Sequence, residues 1–286
     1  MHKIAHMTAA VLAATACSAQ AADVIELWPE GAPNKSTITA AEETNAQGSI
    51  FNVTRARLEV SAPANPNGKA VIVIPGGGYG NLSMSTIEKS FVPFFHSQGF
   101  TTFVLKYRLP KGNPEVPLAD ANKAVEPVRP LFGKYNLHTV GVMGASAGGH
   151  LAAMSSVSCK GAACPDFSVL VYPNITMVQE ESQPKSSCRN NLIGPARSVK
   201  YDTTFSAYKH VSLTTPPAFL AVSAGDEYAG SLGSMLYARA MIENARPVTL
   251  HVYESGNHGW GAESSADFPD GDNFRTDLSM WLKKIK

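Results

Sequence analysis

A serine between two glycines is the feature of this sequence with the clearest chemical meaning. Gly144-Ala145-Ser146-Ala147-Gly148 matches the pattern G-x-S-x-G, with an apolar run before it and a helix-favouring segment after it. A tight turn from a strand into a helix needs small residues two positions from its centre, because bulky ones would collide. Such a turn exposes the central hydroxyl at the carboxyl edge of a sheet. This favours a catalytic role of the serine over a purely structural turn whose small residues only allow a helix and a strand to pack closely. We therefore predict that Ser146 is a catalytic nucleophile.

A serine nucleophile needs a base to take its proton and a carboxylate to orient that base. His258, in "ESGNHGWG", follows the last apolar run, where a side chain can reach across the sheet edge. Asp226, in "VSAGDEYAG", follows the apolar run before it, and the neighbouring Glu227 is its rival. We favour Asp226 because it comes directly after the small Ala224-Gly225 turn. The order Ser146, Asp226, His258 is that of a triad on an α/β-hydrolase sheet.

Three glycines follow another apolar run, in "IPGGGYGN". Successive glycines let main-chain amides approach a substrate oxygen, and such donors are worth about 3–4 kcal/mol of activation barrier. A flexible loop or a phosphate cradle is the alternative, but no P-loop lysine follows. The sequence predicts an oxyanion hole made by the amides of Gly77, Gly78 and Ala147.

Short apolar runs alternate with longer amphipathic segments over most of the chain. Continuous rather than alternating hydrophobicity is typical of strands covered on both faces, and it predicts strands over 69–75, 101–107, 139–144, 167–173, 218–224 and 248–254. Residues 51–60 alternate better and predict an antiparallel edge strand. Helices are predicted over about 85–98, 117–134, 147–156, 231–245 and 272–285. The expected fold is α/β: a mostly parallel central sheet flanked by helices on both faces.

Residues 174–215 are polar and irregular, rich in Asn, Ser, Pro and Lys. A stretch of this length outside the alternation is either an insertion near the site or a disordered loop. We predict a single domain over 22–286 with a short polar insertion at about 174–215. The insertion is too short and too polar to form the hydrophobic lid of a lipase, which argues against activity on long-chain esters.

The first residues, 1–21, have the layout of a secretory signal: a weakly positive start, a short apolar stretch and a small-residue cleavage site. We expect a secreted or periplasmic protein. Lipid attachment at Cys17 is disfavoured, because Ala14 stands where a lipoprotein signal usually has leucine.

Three further cysteines, Cys159, Cys164 and Cys188, leave one thiol over in any pairing. Cys159–Cys164 and Cys164–Cys188 are both candidate disulfides for an exported protein.

The composition argues against several classes of partner. The 286 residues carry a formal charge of +1 with no basic run, which disfavours nucleic acid and anionic membrane surfaces. Beyond the leader no apolar stretch is long enough to cross a bilayer. The sequence has neither a CxxC nor an HExxH motif, so we predict no metal and no cofactor.

Several motifs together resemble a known group of enzymes: "WPEGAPN", "VIPGGGYGNL", "FVLKYRLP", "PLADANKAV", "VGVMGASAGGHLAA", "NLIGP" and "GNHGWG". In this order they are similar to bacterial α/β-hydrolase esterases of the acetyl xylan esterase type. The resemblance implies Ser146 as nucleophile, Asp226 and His258 as its partners, and the glycine loop as oxyanion hole. Two departures stand out. Pro75 replaces the histidine of an HGGG loop, and no valine-proline pair follows the acid.

The predicted function is a secreted serine esterase that removes short acyl groups, acetyl foremost, from carbohydrate. Its partner is an acetylated carbohydrate or another small ester, and the sequence leaves the oligomeric state open. Tyr79 and Trp260 flank the motifs and either stack on a sugar ring or pack in the core. A feruloyl or general carboxylesterase is a close alternative. A serine peptidase of the prolyl-oligopeptidase kind would need a propeller domain, and a catalytically silent glycan-binding protein would usually lack a triad residue.

Overall fold

The computed structural model describes residues 23–181, 186–195 and 199–286, so the predicted leader and Cys17 lie outside the described residues. The strands are β1 (Asp23–Glu26), β2 (Glu43–Thr44), β3 (Ser49–Phe51), β4 (Arg57–Ser61), β5 (Lys69–Ile74), β6 (Leu82–Ser83), β7 (Thr101–Lys106), β8 (Thr139–Ala145), β9 (Ser168–Val171), β10 (Ala218–Ser223) and β11 (Val248–Tyr253). All six predicted buried strands are present, with small differences at their ends.

Eight of these strands form the central sheet, in the order β1-β4-β7-β5-β8-β9-β10-β11. From β7 to β11 every neighbouring pair is parallel, whereas β4 is antiparallel to both β1 and β7. The strands β2, β3 and β6 form a smaller antiparallel sheet. The predicted mostly parallel sheet is therefore confirmed.

The run over 51–60 is antiparallel, as predicted, but the prediction of an edge strand is wrong. Only its second half enters the central sheet, and β1 pairs outside it, with Asp23 opposite Val60. Its first residue, Phe51, belongs to the smaller sheet instead. The strand at the edge is β1, whose hydrogen bonds to β4 cover the outer side of the predicted run.

The α-helices are α1 (Met84–Thr86), α2 (Val92–Ser97), α3 (Glu115–Ala124), α4 (Phe132–Tyr135), α5 (Ala147–Ser158), α6 (Cys188–Ile193), α7 (Val199–Thr204), α8 (Ser231–Glu243) and α9 (Gly271–Leu282). Two predicted helices are interrupted. The first contains a π-helical turn over Ile87–Phe91, just before Pro93. The second ends at Ala124, because Pro127 and Pro130 lack the amide hydrogens that a continuous helix requires.

The helices lie on both faces of the sheet. Crossover connections between parallel strands are right-handed. The connection from β5 to β7 runs in one direction along the sheet, and those from β8 onward run in the other, so their helices cover opposite faces. Helix α9 joins α2 on its face, where the rings of Phe94 and Phe274 lie 6.4 Å apart. Helices α3 and α5 pack together on the other face.

The insertion over 174–215 lies against the body of the protein and contributes α6 and α7. Cys188, Leu192 and Ile193 of α6 are buried in the hydrophobic core. Of the two expectations, an insertion near the site agrees with its described residues. Cys159 and Cys164 form a disulfide, whereas Cys188 is a buried free thiol.

No helix in the described part of the chain is both long and apolar enough to span a membrane.

Candidate active site

The predicted nucleophile lies where the strand order of the sheet reverses. Helical connections leave β5 and β8 in opposite directions, and a crevice at the carboxyl ends of two such strands is the usual ligand site of open α/β sheets. The glycine loop follows β5, and Ser146 follows β8. The sheet topology thus brings together two motifs that are about seventy residues apart in the sequence.

Ser146 has the strained backbone that the sequence pattern predicts. Its φ is 57° and its ψ is −123°, a conformation that costs roughly 1–3 kcal/mol for a residue with a side chain. The turn is held by hydrogen bonds, since the Ser146 amide donates to the Val171 carbonyl at 3.0 Å. A Cβ atom on Gly148 would lie 2.1 Å from the carbonyl oxygen of Ile74, so only glycine fits there.

The side chains of Ser146, His258 and Asp226 form one hydrogen-bonded chain. The Ser146 Oγ lies 2.7 Å from His258 Nε2, and His258 Nδ1 lies 2.8 Å from Asp226 Oδ2. Because a carboxylate only accepts, Nδ1 carries the proton of the neutral ring, and Nε2 is left to accept from the serine hydroxyl. This is the arrangement a general base requires.

Asp226, and not Glu227, contacts the imidazole. Its side chain is fully buried, and its other oxygen, Oδ1, accepts the amides of Tyr228 at 2.9 Å and Ala229 at 2.8 Å. Glu227 is exposed and accepts a hydrogen bond from Asn257 Nδ2 at 3.3 Å. The geometry thus agrees with the preference for Asp226 that the sequence gives.

The predicted oxyanion donors lie beside the serine. Gly77 and Gly78 line the same cavity as Ser146, and Ala147 is the first residue of α5, where helical amides have no partner within the helix. Among the described residues, none of these three amides donates a hydrogen bond. Gly77 has φ +116°, and a Cβ atom on it would lie 2.2 Å from the Asn81 carbonyl oxygen, which excludes any side chain.

The cavity over the serine has a volume of about 250 Å³. This is just below the usual range for small-molecule sites, about 300–1,000 Å³. Outside the glycine loop and the serine–histidine pair, the side chains that line it come chiefly from the insertion and from the loops after β9 and β10: Tyr172, Asn174, Ser186, Ser187, Cys188 and Tyr228. Burial raises the pKa of the Cys188 thiol, which keeps it protonated and makes it a poor second nucleophile.

The predicted sugar-stacking role of Tyr79 and Trp260 is not what the structure shows. Tyr79 is 1% exposed, and its hydroxyl lies 2.6 Å from His150 Nδ1, so its ring belongs to the core. Trp260 stacks on Phe268 with ring centroids 4.0 Å apart and meets Tyr172 edge-on. Neither ring lines the cavity. Both rings pack against other side chains of the protein. Sequence proximity to a motif does not determine the direction in which a side chain points.

The other histidines among the described residues contact other parts of the molecule. His96 contacts Thr102, His138 contacts Thr139, and His251 lies 3.2 Å from Asp277. His210 Nε2 contacts the Thr204 carbonyl, and His150 Nε2 contacts that of Phe205. In the part of the chain that is described, no group of three or more His, Cys, Asp or Glu side chains could hold a metal ion.

Tyr228 and Asn191 are among the residues around the cavity that the sequence does not predict. Tyr228 is 45% exposed, and its ring lies 5.5 Å from that of His258. Asn191, on α6, donates from Nδ2 to the Gly78 carbonyl at 2.8 Å. The only sequence signals were the position of Tyr228 two residues after the acid and the place of Asn191 in the "NLIGP" motif.

Comparisons with known proteins show the family and the fold of this chain. A family model described as BD-FAE matches residues 58–239. The chain is 34% identical over 240 residues to an acetylxylan esterase of Xylanibacter ruminicola, and the alignment covers 81% of this chain and 48% of that protein. The chain therefore spans about half the length of this curated relative.

Two solved structures show the fold. An acetyl ester-xyloside bifunctional hydrolase from Caldicellulosiruptor lactoaceticus superposes with a TM-score of 0.72 at 27% identity, covering 92% of this chain and 96% of that one. A carboxylesterase from Lactobacillus plantarum superposes with a TM-score of 0.66 at 19% identity, covering 85% of this chain and 95% of that one. The predicted α/β-hydrolase fold and the resemblance to acetyl xylan esterases are confirmed.

Proposed function

Because the chain belongs to the BD-FAE family of α/β-hydrolases, we propose that it is a serine esterase that removes short acyl groups from carbohydrate. One observation carries the proposal: Ser146, His258 and Asp226 are joined by hydrogen bonds of 2.7 and 2.8 Å beside three amides that have no acceptor among the described residues. The first feature supplies a nucleophile and base, and the second stabilises negative charge.

In the first half of the reaction, His258 Nε2 takes the proton of the Ser146 hydroxyl while Oγ attacks the ester carbonyl carbon. The carbonyl oxygen becomes an oxyanion, which accepts hydrogen bonds from the amides of Gly77, Gly78 and Ala147. Asp226 stabilises the imidazolium through Nδ1. The intermediate then collapses: the bond to the alkoxide breaks, Nε2 donates its proton to that oxygen, and the acyl group remains on Ser146.

In the second half, water takes the place of the alcohol. His258 Nε2 removes a proton from the water, whose oxygen attacks the acyl carbon through a second oxyanion in the same hole. Collapse of this intermediate breaks the bond to Ser146 Oγ, which recovers its proton from the imidazolium. The products are the free alcohol and a carboxylic acid, and the enzyme returns to its initial state.

The proposed substrate is an acetylated carbohydrate. The cavity of about 250 Å³ favours a small acyl group, and its wall carries hydroxyl and amide groups suited to sugar hydroxyls. The exposed ring of Tyr228 also lines this cavity. The relatives named acetylxylan esterase and acetyl ester-xyloside hydrolase support this choice.

We also propose that the protein is exported. The leader over 1–21 is the basis of this proposal, and the disulfide between Cys159 and Cys164 supports it, because such bonds persist in oxidising compartments. Expression of the full chain with mass analysis of the mature N-terminus tests it: an intact N-terminus on cytoplasmic protein would refute export.

Activity assays test the reaction itself. Purified protein and Ser146→Ala are compared on p-nitrophenyl acetate, butyrate and palmitate, on a feruloyl ester and on acetylated xylo-oligosaccharides. We expect turnover to be highest with the acetyl esters and to be lost in the variant. Higher turnover on the feruloyl ester would overturn the acyl preference. Equal turnover by Ser146→Ala would overturn the mechanism.

A further inference from the structure

We propose that Asn191 and the Tyr79–His150 pair are positioning residues that hold the Gly77 and Gly78 amides toward the reacting oxygen. They touch the glycine loop and not the substrate. The inference rests on the proposed oxyanion hole and extends it to three side chains, one of them from the polar insertion.

Each carbonyl from Pro75 to Gly78 accepts a hydrogen bond. The Tyr107 hydroxyl donates to Pro75 at 3.1 Å, and the Ser83 amide donates to Gly76 at 3.0 Å. The carbonyl of Gly77 accepts the amides of Gly80 at 3.0 Å and Asn81 at 3.2 Å, and that of Gly78 accepts Asn191 Nδ2 at 2.8 Å. The orientation of four consecutive peptide groups is therefore fixed through their oxygens.

The carbonyl bonds also orient the amides. In a planar trans peptide the N–H points opposite to the C=O, and no described peptide bond is cis. The Gly76 carbonyl is bonded on the side of Ser83, so the Gly77 amide points away from that contact. In the same way, the Gly78 amide points away from the turn over Gly80 and Asn81. Both amides are left without an acceptor among the described residues, on a loop that lines the cavity.

The two glycines have no side chains through which to hold this conformation. Three consecutive residues have positive φ: Gly77 at 116°, Gly78 at 58° and Tyr79 at 62°. Glycine torsions are soft, so without these contacts and without support from the neighbouring residues the peptide between Gly77 and Gly78 would be free to flip its N–H away from the cavity. A flip changes ψ of Gly77 and φ of Gly78 together. Because Asn191 holds the Gly78 carbonyl, the peptide on the other side of Gly78 cannot move to accommodate the flipped conformation.

Tyr79 fixes the far end of the same segment. Its hydroxyl lies 2.6 Å from His150 Nδ1, while His150 Nε2 lies 2.7 Å from the Phe205 carbonyl. A carbonyl only accepts, so Nε2 carries the proton of the neutral ring and Nδ1 accepts from the Tyr79 hydroxyl. Both side chains are fully buried. These hydrogen bonds connect Tyr79, the non-glycine residue with positive φ, to α5, the helix that begins directly after Ser146.

Asn191→Ala is the principal test, with Asn190→Ala as its matched control. Asn190 is the neighbouring residue on α6, carries the same side chain, is exposed and has no described contact with the glycine loop. For Asn191→Ala on p-nitrophenyl acetate we expect kcat to fall roughly tenfold with KM unchanged. Asn190→Ala is expected to stay within twofold of the unchanged protein.

Tyr79→Phe tests the second contact, with Tyr237→Phe as its control. Both tyrosines are buried, but the Tyr237 hydroxyl has no hydrogen-bond partner among the described residues. Tyr79→Phe is expected to lower kcat in the same way, and Tyr237→Phe to leave it unchanged.

The inhibition constant of a trifluoromethyl ketone provides a second measurement, which does not change when a variant only loses overall stability. Ser146 Oγ attacks the carbonyl carbon of the ketone. The tetrahedral adduct carries an oxyanion that is stabilised by the same amides. Its inhibition constant is expected to rise in proportion to the loss of kcat/KM in Asn191→Ala and Tyr79→Phe. Folding of each variant is checked by its thermal midpoint, so that only folded protein is compared.

The outcomes separate this inference from the proposed function. If the unchanged protein hydrolyses the ester and Ser146→Ala does not, the proposed function stands. The positioning role is then overturned if Asn191→Ala and Tyr79→Phe have the same kcat and the same inhibitor affinity as their controls. A rise in KM at constant kcat also overturns it. An unchanged protein without esterase activity overturns the proposed function, and the inference with it.

Discussion

Acid is expected to destabilise this fold through His150. Burial lowers the pKa of His150 from 6.5 to about 4, although its hydrogen bond to the Phe205 carbonyl acts in the opposite direction. The unfolded chain therefore binds a proton at this residue below about pH 6.5, whereas the folded protein does so only near pH 4. The contribution to stability is fully present above pH 6.5 and is lost as the pH falls toward 4.

The size of this effect follows from the pKa difference. Each pKa unit corresponds to about 1.4 kcal/mol, so complete protonation costs roughly 3 kcal/mol of unfolding free energy. Between pH 8 and pH 5 the expected loss is about 2 kcal/mol. This is a substantial share of the total, because single domains are typically stable by about 5–15 kcal/mol.

Urea denaturation at pH 8 and pH 5 measures the loss, with His150→Gln as the perturbation. The neutral amide of glutamine does not titrate in this pH range. The contributions of other titrating groups to the change in stability cancel when the two proteins are compared. The variant is expected to lose about 2 kcal/mol less than the unchanged protein between these pH values. His210→Gln makes the same chemical change at an exposed position and serves as control. Equal acid sensitivity of His150→Gln and the unchanged protein would refute the reasoning, as would an NMR titration in which the His150 ring protonates above pH 6.

Three further outcomes are expected. Asp226→Asn should lower kcat about 10³–10⁴-fold by imposing the wrong tautomer on the base, whereas Glu227→Gln should stay within twofold in the same ester assay. Gly77→Ala should lower kcat at least about a hundredfold, because its methyl group would lie 2.2 Å from a main-chain oxygen; retained activity would show that the loop position is not critical. Replacing Cys159 and Cys164 by alanine removes a short cross-link of sequence separation 5, so urea denaturation should show a loss of about 2 kcal/mol with kcat unchanged.

The strands were the most predictable part of the fold. A strand with neighbours on both sides and helices on both faces must be apolar throughout, and β8 and β10 are fully buried along their length. The run over 248–254 has the same apolar pattern, but among the described strands β11 pairs only with β10, and it is half-exposed. Its residue types alone do not distinguish an edge from the centre of a sheet.

Helix bounds were less predictable, because local breaks outweighed the periodic pattern. The predicted helix over 117–134 contains Pro127 and Pro130, and the structure divides it into α3, a 3₁₀ turn over Arg129–Leu131, and α4. Each proline removes an amide donor and disfavours helical torsions in the residue before it. The two prolines therefore determine where the helix ends.

The reacting side chains were predictable, and their supports were not. Parallel strands end at one edge, so residues that follow β8, β10 and β11 converge there, which brings Ser146, Asp226 and His258 together. Asn191 is 113 positions from Gly78, in an insertion whose path the strand pattern does not define. Tyr79 adjoins the glycine loop, yet a left-handed backbone torsion turns it into the core. Contacts of this kind depend on the packed structure.

Covalent labelling tests the central claim most directly. A fluorophosphonate reacts with a serine only when a base removes its proton and amides receive the developing charge on the phosphoryl oxygen. After digestion of the labelled protein, we expect the probe on the peptide that contains Ser146, at a rate that falls at least about a hundredfold in His258→Ala. A label on another residue, or an unchanged rate in His258→Ala, would contradict the account.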